Sequence, residues 1–251
     1  MIHSVYAFLG ADLRATDGEI GRCEDFLFDD RYWTIRYMVA DTRKWLPGRK
    51  VLISPSALND WDWRSDTIPV SLSREGIKDS PPLNSDMPVS RQYELELVKH
   101  YNWPPYWYGP HAWGTALTPP PEAMKPIEKP FEDIEKPGEQ HLRSVKEVSG
   151  YDIQALDDKV GHVEDFLLEE TTWSIRYLVV DTRNWLPGRK VLISPAWASD
   201  VDWKRSRVHV RMDRKAIENS PEYDRERPLG RDDEMALHRH YDFRPYWLDV
   251  E

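Results

Sequence analysis

The chain has one cysteine, Cys23, in 251 residues. Without a second thiol there is no internal disulfide, and a cysteine-based zinc site is excluded as well. Long hydrophobic runs are also missing: apolar stretches last a few residues, against the roughly 20 that a spanning helix needs. The opening residues have no basic start followed by an apolar block, so no secretory signal peptide is expected. Nor is there a basic excess. The net charge is −10 and no large segment is net basic, unlike the footprint of a nucleic-acid binder. No phosphate-cradling glycine loop of either common spacing occurs. The expectation is a cytoplasmic chain without membrane span, nucleic-acid partner, metal or cofactor.

Tryptophan (12) and proline (20) are the residues in excess. They belong to an internal repeat, visible when the chain is shifted by 140 residues. WLPGRKVLISP occurs at Trp45–Pro55 and again at Trp185–Pro195 without a change. Over Val39–Pro55 only Ala40 and Lys44 differ from their counterparts, Val180 and Asn184. EDFL, IRY, HY and PYW also return at the same offset. A period this long with two copies predicts a domain duplication: 1–107, a proline-rich linker at 108–140, and 141–251. The linker alternates Glu and Lys between prolines, which favours an extended strap.

Each copy reads as mainly β. A short strand is predicted at Ser4–Phe8 and at Ser144–Val148. Two strands around a turn follow, with Ile20, Cys23, Phe26 and Phe28 inward. Ile35, Tyr37 and Val39 alternate with Arg36, Met38 and Ala40, a period of two. In WLPG, Pro47 and Gly48 suit the centre of a type II turn. Val51–Ile53 forms a strand that Ser54-Pro55 stops. A further strand is predicted at Thr67–Leu72 and at Arg207–Met212. About six short strands at close spacing predict a small closed barrel. Residues 90–101 and 230–241 read as helices capped by Ser90 and Asp232, each running into a Pro-Tyr-Trp peg.

The motif running from D-F/L-L through W-x-I-R-Y-x-V-x-D-T-x-x-W-L-P-G-R-K-V-L-I-S-P resembles the PRC-barrel family. These are small β-barrels named from the cytoplasmic part of the photosynthetic reaction centre H subunit. The resemblance covers roughly 1–75 and 141–215, and REGIKDSP with the later PYW resembles the tail of free-standing bacterial members. It implies two PRC-type barrels, each with a short helical tail, in a pseudo-two-fold tandem. It also implies a binding or assembly role. The chain shows neither the H subunit's N-terminal membrane helix nor the second domain of the ribosome maturation factor, so neither specific role carries over.

Polar residues shared by the copies are weighed for chemistry. Glu24 and Asp25 are adjacent, so in a strand they point to opposite faces and do not converge. Asp25, Arg36, Asp41 and Arg43, with Asp165, Arg176, Asp181 and Arg183, read as cross-strand charge pairs. No nucleophile–base–orienter set is apparent, so no catalytic residue is assigned. His238 and His240 lie two apart, which on a helix does not share a face, and copy one has Val98 in place of the first. Trp45, Arg49 and Lys50, with Trp185, Arg189 and Lys190, have the composition of an interaction hot spot. Their first expected partner is the other copy, in an intramolecular pseudo-dimer that leaves room for further homo-oligomers. The reading is a non-enzymatic protein-binding or scaffold chain whose partner is not encoded legibly. The competing reading is a ligand-binding protein or enzyme with its site in a groove between the barrels.

Overall fold

The computed structural model describes residues 1–43, 45–47, 49–58, 61–83, 89–107, 109–114, 141–182 and 189–248. The first half contains β1 (Ile2–Ser4), β2 (Asp12–Ala15), β3 (Gly18–Asp29), β4 (Ile35–Asp41), β5 (Lys50–Ile53) and β6 (Thr67–Pro69). Helices α1 (Arg74–Lys78) and α2 (Arg91–Tyr101) follow. The second half begins with β7 (Leu142–Ser144), α3 (Val145–Val148), β8 (Asp152–Gln154), β9 (Lys159–Glu169) and β10 (Ile175–Asp181). It ends with β11 (Lys190–Ile193), β12 (Ala198–Asp202), β13 (Arg207–Val210), α4 (Arg214–Glu218) and α5 (Arg231–His240).

These elements form two compact units that do not follow the sequence repeats end to end. The N-unit is Ala7–Lys146 with Glu170–Ser174; the C-unit is Glu147–Glu169 and Ile175–Glu251 with Met1–Tyr6. The N-unit sheet runs β5-β4-β3-β2-β6, with β7 also on β3. The C-unit sheet runs β11-β10-β9-β8-β13-β12, with β1 also on β9. Among the described residues no strand pairing joins the two ends of either path, and the fold is mainly β with two sheets and short helices. The register recurs at the repeat offset: Met38 faces Ile53 and Leu178 faces Ile193. The one parallel pairing recurs too, β2 with β6 and β8 with β13.

The core of the N-unit is laid down by β3. Ile20, Cys23, Phe26 and Phe28 are all buried, yet they are spaced by three, three and two. A bulge against β4 between Cys23 and Asp25 supplies one extra residue and returns Phe26 inward. At Gly21, φ is +128° and an added Cβ would lie 1.9 Å from the Asp41 carbonyl oxygen, so no side chain fits there. Gly161 repeats this against Asp181 at 2.2 Å. In β4 both faces are buried through Ala40.

The first strands depart from expectation. Both stop at the serine, Ser4 or Ser144, and the residues after it turn helical, at Tyr6–Phe8 and in α3. A carboxylate causes the turn. Asp165 accepts from the Ser4 hydroxyl at 2.6 Å and the Tyr6 amide at 3.2 Å, and Asp25 accepts from the Ser144 hydroxyl and the Lys146 amide. The pairing also crosses the repeats. β1 pairs with β9, Ser4 opposite Leu167, while β7 pairs with β3, Ser144 opposite Leu27. Each unit therefore takes its first strand from the other repeat.

The helices match the sequence more closely. Ser90 caps α2, accepting from the Tyr93 amide at 3.2 Å. In α5 the cap is Gly230 rather than Asp232, and the Asp233 carboxylate accepts from the Gly230 amide at 3.0 Å. The predicted strands from Thr67 and Arg207 end early, at Pro69 and Val210. Among the described residues no helix is long and apolar enough to cross a membrane.

Candidate functional site

The described residues of the repeated motif are bonded within their own units. Trp45 is half-buried, its indole N–H donates to the Ile20 carbonyl at 2.6 Å, and the Arg74 guanidinium lies 4.6 Å from its ring centre. Arg49 donates to the carbonyls of Lys78 and Ser80, both at 2.5 Å, and so fastens the start of β5 to the segment after α1. Arg189 donates to Ser220 in the same way. Lys50 pairs with Glu24 at 2.8 Å and Lys190 with Glu164 at 2.6 Å. The cations read as partner-facing are thus engaged within their own units. Trp185 lies outside the described residues.

The charge pairs are rearranged relative to the sequence reading. Arg36 does not meet Asp25. It is 1% exposed, pairs with Asp29 at 2.7 Å, and donates further to the carbonyls of Gly109, Pro110 and His111. The Tyr106 ring sits 4.3 Å from its guanidinium. Arg176 makes the matching pair with Glu169 at 2.5 Å, but it is 23% exposed and stacks on Tyr246. Asp25 and Asp165 instead anchor the exchanged first strands. Burial pushes both carboxyls above their ordinary range, against the opposing pull of the serine and amide donors. Asp165 also has Arg225 at 3.2 Å. Asp41 pairs with Arg43 two residues on, within one turn rather than across strands, and the guanidinium holds it at about 2. Asp181 is buried, and Arg183 lies outside the described residues.

One polar cluster per unit was not found from sequence. In the N-unit, Glu94 is fully buried, paired with Arg91 at 2.9 Å and with His141 at 2.8 Å, and it accepts from the Tyr106 hydroxyl. In the C-unit, Glu234 pairs with Arg231 at 3.1 Å and accepts from Tyr177 at 3.0 Å and Tyr246 at 2.9 Å. His238 Nε2 lies 3.0 Å from the Tyr177 hydroxyl. Burial first, and neighbouring carboxylates second, raise Tyr37, Tyr106, Tyr177 and Tyr246 above the ordinary phenol value, so all stay protonated donors. Burial lowers His238, which favours its neutral form. The cluster ties the tail helix and the Pro-Tyr-Trp peg to the sheet. The repeated Glu of E-x-x-L-x-x-x-Y and the Tyr of PYW were the available signal.

No group of His, Cys, Asp and Glu that could hold a metal ion occurs among the described residues. Cys23 is buried, and burial pushes its thiol well up, which keeps it unreactive. Residues 141–217 match the family model of the PRC-barrel domain. No match was found among curated proteins.

Proposed function

We propose that this chain is a non-enzymatic binding or scaffold protein, built from two PRC-type barrels in tandem, that holds protein partners. The match of residues 141–217 to the PRC-barrel domain carries the reading, because such modules serve chiefly as interaction surfaces. The geometry supports it. Arg36, Arg49, Lys50 and Asp25, with their counterparts Arg176, Arg189, Lys190 and Asp165, are committed to internal bonds that shape each unit. In this reading the conserved-in-both turn is scaffold, and contact with a partner falls to surface positions where the two repeats differ.

The test is recovery of partners with the tagged full-length chain, followed by titration of each purified candidate in a calorimeter. Saturable binding at fixed stoichiometry is expected for at least one. Failure of every purified candidate to bind, or steady turnover of a small-molecule substrate by the purified chain, would overturn the proposal.

A further inference from the structure

The C-unit carries a shallow cavity of about 70 Å³ between β11, the segment at Pro221–Leu229 and one face of α5. Its floor is apolar, with Leu192 and Leu237 both buried, and Pro221, Pro228, Leu229 and Ala236 form the walls. The segment is pinned to the sheet, since the Tyr223 amide donates to the Lys190 carbonyl at 2.8 Å and Glu222 bridges to Val191. The mouth is acidic. Glu222, Asp224 and Asp233 stand there with a single base, Arg227. Arg227 is taken by Asp233 at 2.7 Å, and the other Asp233 oxygen accepts from Gly230. Glu222 and Asp224 are both exposed; the Asp224 carboxylate accepts from the Glu226 amide at 2.9 Å, and among the described residues neither acid forms an ion pair, which leaves the rim net negative.

Size and chemistry together select the occupant. Pockets for cofactors and drug-sized ligands run to about 300–1,000 Å³, so this cavity suits one side chain. An apolar floor under an anionic rim matches a side chain with a long aliphatic stem and a cationic head. The two repeats point the same way. The floor residues recur as Leu52 and Leu97 and the wall residue Pro221 as Pro81, while Glu222, Asp224 and Asp233 are replaced by Pro82, Asn84 and Tyr93, and Ala236 by Glu96. In the N-unit the Tyr93 hydroxyl reaches across from α2 to donate to the Pro81 carbonyl at 3.1 Å. The three rim acids of the C-unit thus have no acidic counterparts in the N-unit.

We infer that this cavity is a subsite for a lysine side chain presented by a basic segment of a protein partner. The inference rests on the protein-binding reading and gives it a surface and a partner chemistry. The test uses the ¹⁵N-labelled full-length chain and a capped Gly-Gly-Lys-Gly-Gly peptide at low ionic strength. Amide shifts should saturate and centre on Leu192, Glu222–Asp224, Leu229 and Leu237. The Glu222→Gln/Asp224→Asn double variant keeps the shape and the hydrogen-bonding oxygens, and should weaken binding about fivefold or more. Ala236→Leu, which fills the cavity with the charges intact, should abolish it.

Equal binding of a norleucine peptide, shifts centred elsewhere, or no saturable shift would overturn the inference. A confirmed partner that binds the double variant as tightly as wild type would also overturn it, while leaving the protein-binding reading standing. Pocket-centred lysine binding with no confirmed protein partner would do the reverse.

Discussion

The two units solve one problem with different parts. Each buries a glutamate of its tail helix and surrounds it with an arginine from the same helix and a tyrosine from the peg. The histidine enters differently: His141, just before β7, meets Glu94 directly in the N-unit, whereas in the C-unit His238, within α5, meets the Tyr177 hydroxyl that itself donates to Glu234. At the repeat offset these positions hold Met1 and Val98. A buried carboxylate needs its oxygens satisfied, and the donor's place in the chain does not matter. The arginine at the sheet shows a second contrast. Arg36 is enclosed and satisfies several carbonyls, whereas Arg176 keeps contact with water.

That second contrast predicts the largest difference between the units. Arg36→Met leaves Asp29 buried without its partner and removes donors from three carbonyls, and should destabilise by about 3–5 kcal/mol. Arg176→Met, partly screened, should cost about 1 kcal/mol. Urea unfolding of the full-length chain, followed by far-UV circular dichroism, measures both, and equal costs would erase the distinction.

The strand anchors come next. Ser144→Ala removes a donor from the half-buried Asp25 and Ser4→Ala one from the buried Asp165, each for about 1–2 kcal/mol. Asp165 keeps Arg225, so Ser4→Ala should be the milder of the two in the same unfolding assay. The opposite order would mean that Arg225 contributes nothing to that anchor.

His238 should give the C-unit a response to acid. His238 is lowered from the ordinary 6.5 by burial. Below 6.5 the unfolded chain therefore takes up this proton before the folded one, and stability falls as the pH drops. His238→Val, the residue found at position 98, should flatten that part of the pH dependence whatever it does to stability at neutral pH. An unchanged slope would show that His238 does not titrate differently in the folded state.

The helix caps give the smallest effects. Ser90→Ala should cost about 1 kcal/mol, while Gly230→Ser should gain a few tenths, because Asp233 already serves the free amide there. Melting temperatures of the two variants should move in opposite directions.

Much of each unit was legible in the sequence because it is local. The Ser90 cap, the stop at Ser54-Pro55 and the inward set Ile20, Cys23, Phe26 and Phe28 follow from residue type and spacing. The candidate site was harder to read. Trp45, Arg49 and Lys50 look like an exposed hot spot in one dimension, because Ile20, Glu24, Lys78 and Ser80, which engage them, are distant in sequence. The expected set of cross-strand charge pairs was incomplete for a related reason. The bulges in β3 shift the register, and Arg36 finds Asp29 instead. The cavity in the C-unit has no sequence signature, since its floor and rim come from β11, an irregular segment and α5.

By itself the sequence determined the inward set of β3, the stop of β5 at Ser54-Pro55, the Ser90 start of α2, and that both halves share much of this pattern. Alternation, capping and proline act over a few residues and need no distant partner. Only the tertiary structure decided that β1 joins the C-unit sheet and β7 the N-unit sheet. Ile2–Ser4 and Leu142–Ser144 are three-residue strands ending in the same serine, and either fits the same ladder. Short strands carry too little information in their own pattern to choose a partner, so the choice rests on long-range pairing and on Asp25 and Asp165, which wait at each crossing.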